Sequence, residues 1–198
     1  MCTRAGVSST ARPGSSIRST EVNMVIYEFE GRRPRIGKGS FVYPEATIIG
    51  DVTLGEGCYV GPGAVIRGDY GKIVIGSRTA VEENCTLHAR PGEVLTIGND
   101  VTIGHAAVIH NCTLEDFCVI GMGAIVSDYA KVGVWAVVGE GAVVKNKSVI
   151  EPSQIVVGVP AKPVAQVTED YKRQWTHFKG IYAELAGERL AKGLRKVQ

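Results

Sequence analysis

From Ile36 onward, aliphatic residues recur every six positions: Ile36, Val42, Ile48, Leu54, Val60 and Ile66. The beat resumes at Ile75, Val81 and Leu87, and again at Ile97, Ile103 and Ile109. It then runs through Leu114, Ile120, Val126, Val132, Val138, Val144, Ile150 and Val156. The position after the aliphatic residue is often glycine, as in Ile36-Gly37, Leu54-Gly55 and Val60-Gly61, and the fifth position is small: Ser40, Ala46, Val52, Cys58, Ala64. A fixed period of this kind marks a repeat architecture. Each hexad reads as a short extended stretch and a turn, with aliphatic and small positions inward and Gly, Asn, Asp and Pro at the turns. Three hexads close a triangular coil of about 18 residues, and stacked coils make a prism whose faces are parallel sheets with strands about 4.8 Å apart. No coil can bury its own core, so stability has to come from its neighbours. The prediction is an all-β solenoid over residues 24–163.

Beyond the repeat, Gly158-Val159-Pro160-Ala161-Lys162-Pro163 reads as an exit loop. Thr168 then caps a helix with Glu169 and Asp170 in its first turn. Tyr171, Trp175, Phe178, Tyr182 and Leu185 are spaced four, three, four and three, which predicts one helical face lying against the prism. Residues 164–198 therefore form a C-terminal helix ending in a basic tail with Lys192, Arg195 and Lys196.

Composition narrows the function classes. A chain of 198 residues with 44% hydrophobic positions is one soluble domain with an appendage. Its formal charge of +2 gives no reason to expect nucleic-acid binding, and no apolar run is long enough for a bilayer. The 25 glycines and 7% aromatics suit many tight turns and small packed side chains. Five cysteines with no Cys-x-x-Cys pair argue against a disulfide framework and for a reducing, cytoplasmic setting. Cys58, Cys85 and Cys118 fall at the small fifth position, and Cys112 lies near it in a shortened unit, so all four read as buried packers. Residues 1–23 carry arginines, serines and threonines in a pattern foreign to the rest. They are expected to be a disordered extension, or the product of a start placed ahead of Met24, although a transit peptide shares the composition.

The candidate chemistry lies in residues 66–113. Three of the four histidines, His88, His105 and His110, fall there. Counted in units, Ile66, Leu87 and Ile109 occupy one face on successive coils, so Arg67, His88 and His110, each the next residue, should stack in a column with neighbours about 5 Å apart. Two imidazoles at that spacing can share one zinc ion, whose Zn–N bonds are about 2.0–2.1 Å. His105 belongs to the Ile103 unit, one face earlier, and should point away from the other two. If all three hold one metal, His105 comes from a neighbouring subunit, which requires a homotrimer with three equivalent sites.

Arg67-Gly68-Asp69, Leu87-His88, Gly104-His105 and Ile109-His110, with Val119-Ile120-Gly121-Met122-Gly123-Ala124, resemble the γ-class carbonic anhydrases. Tyr27-Glu28-Phe29-Glu30-Gly31 and Arg67-Gly68-Asp69-Tyr70-Gly71 are most similar to a branch that includes carnitine-operon and phenylacetate-pathway proteins. The resemblance implies a left-handed parallel β-helix, a homotrimer, and metal sites at the subunit interfaces built from His88, His105 and His110. It implies hydration of carbon dioxide to bicarbonate by hydroxide on Zn2+, with Fe2+ or Co2+ equally suited to three imidazoles. It makes Arg67 and Asp69 an ion pair across the interface, beside the metal. The family usually has Asn-x-Gln-Asp before the first histidine, where this chain has Ala80-Val81-Glu82-Glu83. Glu82 thus takes the position of a water-orienting glutamine. The loop over residues 89–96 lacks an acidic proton-shuttle segment, and Glu93 is its one carboxylate. Acyl transfer from coenzyme A, thioester hydrolysis and a non-catalytic trimeric scaffold are the alternatives, and the loop at residues 158–163 does not separate them.

Overall fold

The computed structural model describes residues 25–197, so the expectation for residues 1–23 lies outside it. The described chain is a left-handed parallel β-helix of about seven turns with a C-terminal helix. Stacking follows the hexads. Val119 and Ile120 pair with Val137 and Val138, eighteen residues on, and Ile66 pairs with Leu87, which pairs with Ile109. One face is a separate eight-stranded sheet running from Phe41–Val42 to Lys162–Gln166. The other two faces merge into a single sheet, because the strands Thr47–Leu54 and Val65–Ile75 continue around the vertex between them.

The inward aliphatic column is fully buried, with Ile48, Ile66, Leu87, Ile103, Ile109 and Ile120 all at 0% exposure. Along Thr47–Leu54 burial alternates strictly, as a strand with one covered face demands. Glycine after the aliphatic residue has a steric cause. A Cβ on Gly55 or Gly76 would lie 2.6 Å from a backbone carbon of the glycine stacked on it, Gly76 or Gly98. At the same vertex side chains ladder the turns: Asp116 accepts from the Asn99 N–H at 2.7 Å and Asn99 from the Ser77 N–H at 2.8 Å.

Two expectations need correction. Turn positions are not confined to Gly, Asn, Asp and Pro. Phe117, Tyr129 and Trp135 adopt left-handed backbone with φ of 62°, 60° and 60°. Such conformations cost on the order of 1–2 kcal/mol for a side-chain-bearing residue, and the stacking supplies compensation. The Phe117 and Trp135 N–H groups donate to the carbonyls of Asn99 and Asp116 on the preceding coil at 3.0 and 3.1 Å, and the two rings stack with centroids 4.9 Å apart. The expected exit loop over residues 158–163 is shorter, a turn over residues 158–161, because Lys162–Gln166 returns antiparallel to Gln154–Val157 as a hairpin.

The helix Glu169–Glu184 is capped as expected, Thr168 Oγ1 accepting from the Tyr171 N–H at 3.2 Å. It continues through a π-helical turn over Leu185–Arg189 to Gly193. The predicted stripe lies against the prism at Tyr171, Trp175, Tyr182 and Leu185 and departs from expectation at one position. Phe178 is exposed, and Lys179 is buried at 5% exposure. The helix rolls so that Tyr171 and Trp175 pack near Val119 and Val137, while Tyr182, Ala186 and Leu190 pack with Tyr59 and Ala80. Lys179 is carried between these contacts. Its ammonium donates to Thr102 Oγ1 at 3.0 Å and to the Cys118 carbonyl at 3.4 Å, 5.6 Å from the Trp175 ring centre. Burial pulls its pKa down to about 8, against the attraction of Cys118, Asp100 and Glu82. Cys58, Cys85, Cys112 and Cys118 are buried and free, as predicted. Burial pushes the Cys85 and Cys118 thiols up to about 12, away from reactivity at neutral pH. Among the described residues no helix is long and apolar enough to cross a membrane.

Candidate metal centre

Every break in the hexad rhythm falls at one vertex of the prism. Three extra residues lie between Ile66 and Ile75 and four between Leu87 and Ile97, while the unit from Ile109 to Leu114 is one residue short. Arg67, His88 and His110 stand at this vertex and pair in register, Arg67 on His88 and His88 on His110, as the unit count predicts. The two imidazole rings are tilted against each other with centroids 5.2 Å apart.

His88 Nδ1 lies 3.1 Å from His110 Nε2. The outer nitrogens each meet a carboxylate: His88 Nε2 is 3.2 Å from Asp69 Oδ1, and His110 Nδ1 is 2.5 Å from Asp128 Oδ1. When the outer nitrogens carry the protons and donate them to those carboxylates, the inner nitrogens present two lone pairs to the same point. Two lone pairs that close repel, and a cation between them removes the repulsion. The 3.1 Å separation is close to the about 3.3 Å spanned by two nitrogens bound at about 2.0–2.1 Å to one tetrahedral ion. A histidine that gives its other N–H to a carboxylate is also the usual supporting arrangement for a metal ligand. The donor set and its geometry therefore fit a divalent transition metal.

The electrostatics agree. Burial would raise the Asp69 carboxyl, but hydrogen bonds from Arg67 and the Tyr70 N–H outweigh it and hold Asp69 below the usual carboxylate range. The Arg90 guanidinium does the same for Asp128, with His110 adding to it against burial. Burial, then the Arg67 charge, pushes His88 down, which favours the neutral imidazole that a metal requires. The Arg67–Asp69 pair closes within one chain, Arg67 Nη1 donating to Asp69 Oδ2 at 2.6 Å. Two residues only two apart on one strand face the same side, so the guanidinium folds back onto the carboxylate beside it.

His105 stands at a different vertex, at the turn between Thr102–Ile103 on the separate sheet and Val108–His110. Its ring sits between two carboxylates, Nδ1 2.5 Å from Glu83 Oε2 and Nε2 3.2 Å from Glu82 Oε2. Glu82 is 6% exposed, and the same oxygen accepts from the His105 backbone N–H at 3.2 Å. Glu83 Oε1 accepts from the Tyr59 hydroxyl at 2.6 Å. Burial acts to raise Glu83, but the Tyr59 hydrogen bond and His105 leave it lowered. Within one chain, then, Arg67, Asp69, His88 and His110 come together, and Glu82 joins His105 elsewhere. Among the described residues no three His, Cys, Asp or Glu side chains of the one chain are arranged to hold a metal ion by themselves. Glu93 is exposed on the loop after His88.

Asp128, Arg90 and Glu83 were not singled out by sequence. Asp128 had a signal, being the second residue after Val126, which stacks on Ile109. An acidic residue one layer beyond a ligand histidine, at the vertex where the unit is short, is a supporting partner that the register could have located.

Comparison with known proteins follows the same lines. Residues 33–68 match the family model described as bacterial transferase hexapeptide (six repeats). A carbonic anhydrase of Geobacillus kaustophilus is 38% identical over 81% of this chain and 88% of its own length. The carnitine operon protein CaiE of Escherichia coli O157:H7 is 34% identical over 83% of this chain and 84% of its own. A Bacillus cereus crystal structure described as an acetyltransferase superposes with a TM-score of 0.83 at 33% identity, over 85% of this chain and 98% of that one.

Proposed function

The chain belongs to the hexapeptide-repeat family that includes a carbonic anhydrase and the carnitine operon protein CaiE, and from that membership we propose that it is a metal-dependent, carbonic anhydrase-like enzyme interconverting carbon dioxide and bicarbonate. The observation that carries this reading is the pair of inward imidazole nitrogens 3.1 Å apart, each backed by a carboxylate on its outer nitrogen. Zn2+ is the proposed ion, Fe2+ and Co2+ being compatible with the same imidazoles. When bound, such an ion brings the pKa of water to about 7, the value familiar from zinc carbonic anhydrases, and so makes hydroxide available to add to carbon dioxide.

The chain's own residues would do the rest. His88 and His110 supply two nitrogens from one subunit, and His105 of the next subunit supplies the third, because His105 occupies a different vertex of the prism. This makes the working form a homotrimer with its sites between subunits. Asp69, held by Arg67, fixes the ring of His88. Glu82 Oε2, beside His105 Nε2, is positioned to accept a hydrogen bond from water or to take its proton. Metal content per trimer, measured with stopped-flow hydration of carbon dioxide by metal-replete protein, tests the reading. The expectation is one ion per subunit and turnover lost in His88→Ala. Metal-replete protein whose hydration rate ignores that substitution would sink it.

One observation favours a second reading. A groove of about 510 Å3 flanks His105, lined by Val119, Val137, Ile155, Tyr171 and Trp175 among others. The His105–Glu83 contact beside it has the form of an oriented general base, which suits acyl transfer from a thioester. Acetyl-coenzyme A consumption that requires His105 and Glu83 but survives His88→Ala would select that reading.

A further inference from the structure

The support on His110 has an extension that mirrors the one on His88. Asp69 divides its oxygens between Arg67 and His88. Asp128 divides its oxygens between Arg90, at 2.7 Å from Oδ2, and His110, at 2.5 Å from Oδ1. The vertex therefore reads Arg67, Asp69, His88, His110, Asp128, Arg90 as one continuous chain of contacts, with matching ends and the inward nitrogens at its centre.

Three features separate the Arg90–Asp128 contact from an ordinary surface ion pair, which by itself stabilises little. First, Arg90 follows His88 and Asp128 follows Val126, so the guanidinium spans the whole intervening coil, the one that carries His110. Second, that coil is the short one. Asn111 takes the left-handed corner position beneath Tyr129, whose N–H donates to the Asn111 carbonyl at 2.7 Å. The residue that would lie beneath Asp128 is the missing one, and the carboxylate reaches through the gap to the ring. Third, the Asp128 side chain is only 13% exposed although its arginine is half exposed. Asn111, itself 3% exposed, ties the same layers by accepting from the Arg90 N–H at 3.3 Å.

We propose that Asp128 and Arg90 are positioning residues for His110. Asp128 accepts the Nδ1–H, which selects the tautomer whose Nε2 lone pair faces the ion, and Arg90 holds the carboxylate in place. This rests on the metal-centre reading, and the tests keep the two apart. The first readout needs no metal. In 15N-labelled metal-free protein, His110 gives the Nδ1–H pattern. Asp128→Ala converts it to a mixture of tautomers, while Asp128→Asn, which retains a carbonyl acceptor, preserves it. The second readout is Zn2+ affinity by chelator competition. Asp128→Ala weakens it about 10- to 100-fold, the usual effect of losing a supporting carboxylate, with Arg90→Gln and Asp128→Asn falling between it and the parent. The Co2+ absorption spectrum shifts in the same order. A parent that binds no metal, with the His110 tautomer still set by Asp128, would refute the metal centre and leave the tautomer role standing. An Asp128→Ala protein with parental tautomer and parental Zn2+ affinity overturns the proposal. If Asp128→Ala does not fold, Arg90→Gln decides, since parental affinity and spectrum in that variant would equally overturn it.

Discussion

The placement of His105 away from His88 and His110 makes a quantitative prediction about mixed oligomers. Each proposed site takes His105 from one subunit and His88 with His110 from the next. His105→Ala and His110→Ala homotrimers each lack one ligand in every site. When the two are unfolded together in equal amounts and refolded, a site is intact only where a His110→Ala subunit supplies His105 and its neighbour, a His105→Ala subunit, supplies the other two. With random assortment each condition holds about half the time, so about one quarter of sites are restored in a closed ring. Refolding the doubly substituted chain with an equal amount of parent gives the complementary figure. Shared sites again survive in about one quarter of cases, whereas sites contained within one chain would survive in about one half. The assay is tightly bound Zn2+ per protein after chelator challenge, with hydration rate alongside and native mass spectrometry confirming assortment. A single-substitution mixture no better than its parts, together with about half retention in the second mixture, would refute the shared geometry.

Three further outcomes follow from the packing. Ile120→Ala, at a fully buried position away from the metal vertex, should cost about 2–5 kcal/mol in denaturant unfolding. Gly76→Ala places a Cβ 2.6 Å from the Gly98 backbone, so two coils must separate, and a loss of about 1–3 kcal/mol is expected in thermal or denaturant melts. Lys179, with its pKa lowered from 10.5 to about 8, is protonated more readily in the unfolded chain. Its contribution to stability is therefore unfavourable below pH 8 and improves as pH rises toward 10.5, by on the order of 3 kcal/mol in all. Lys179→Met should remove that slope when the two proteins are melted across pH 7–10.

Much of the architecture was legible because a solenoid turns counting into geometry. One hexad is one face and three are one layer, so the aliphatic beat alone stacked Ile66 on Leu87 and Leu87 on Ile109, and with them Arg67, His88 and His110. The same count set His105 apart. The helix was legible as an element, capped at Thr168, but its rotation was not. Periodicity allowed Phe178 or Lys179 to face inward, and the choice fell to the lysine because Thr102 and the Cys118 carbonyl offer acceptors at that point on the sheet.

The chain's order of residues by itself determined the period, the layers and the vertex at which the histidines stand. Each of these depends only on which positions are aliphatic or small, and backbone pairing enforces that pattern from one coil to the next. The tertiary structure alone decided what surrounds the rings: Arg67 turning back onto Asp69, Asp128 reaching His110 through the gap of a short unit, and Arg90 crossing a whole layer to hold it. Those contacts join residues up to 38 positions apart. They depend on how insertions and a deletion reshape one corner of the prism, where no repeat applies and side-chain reach, charge and space settle the partners.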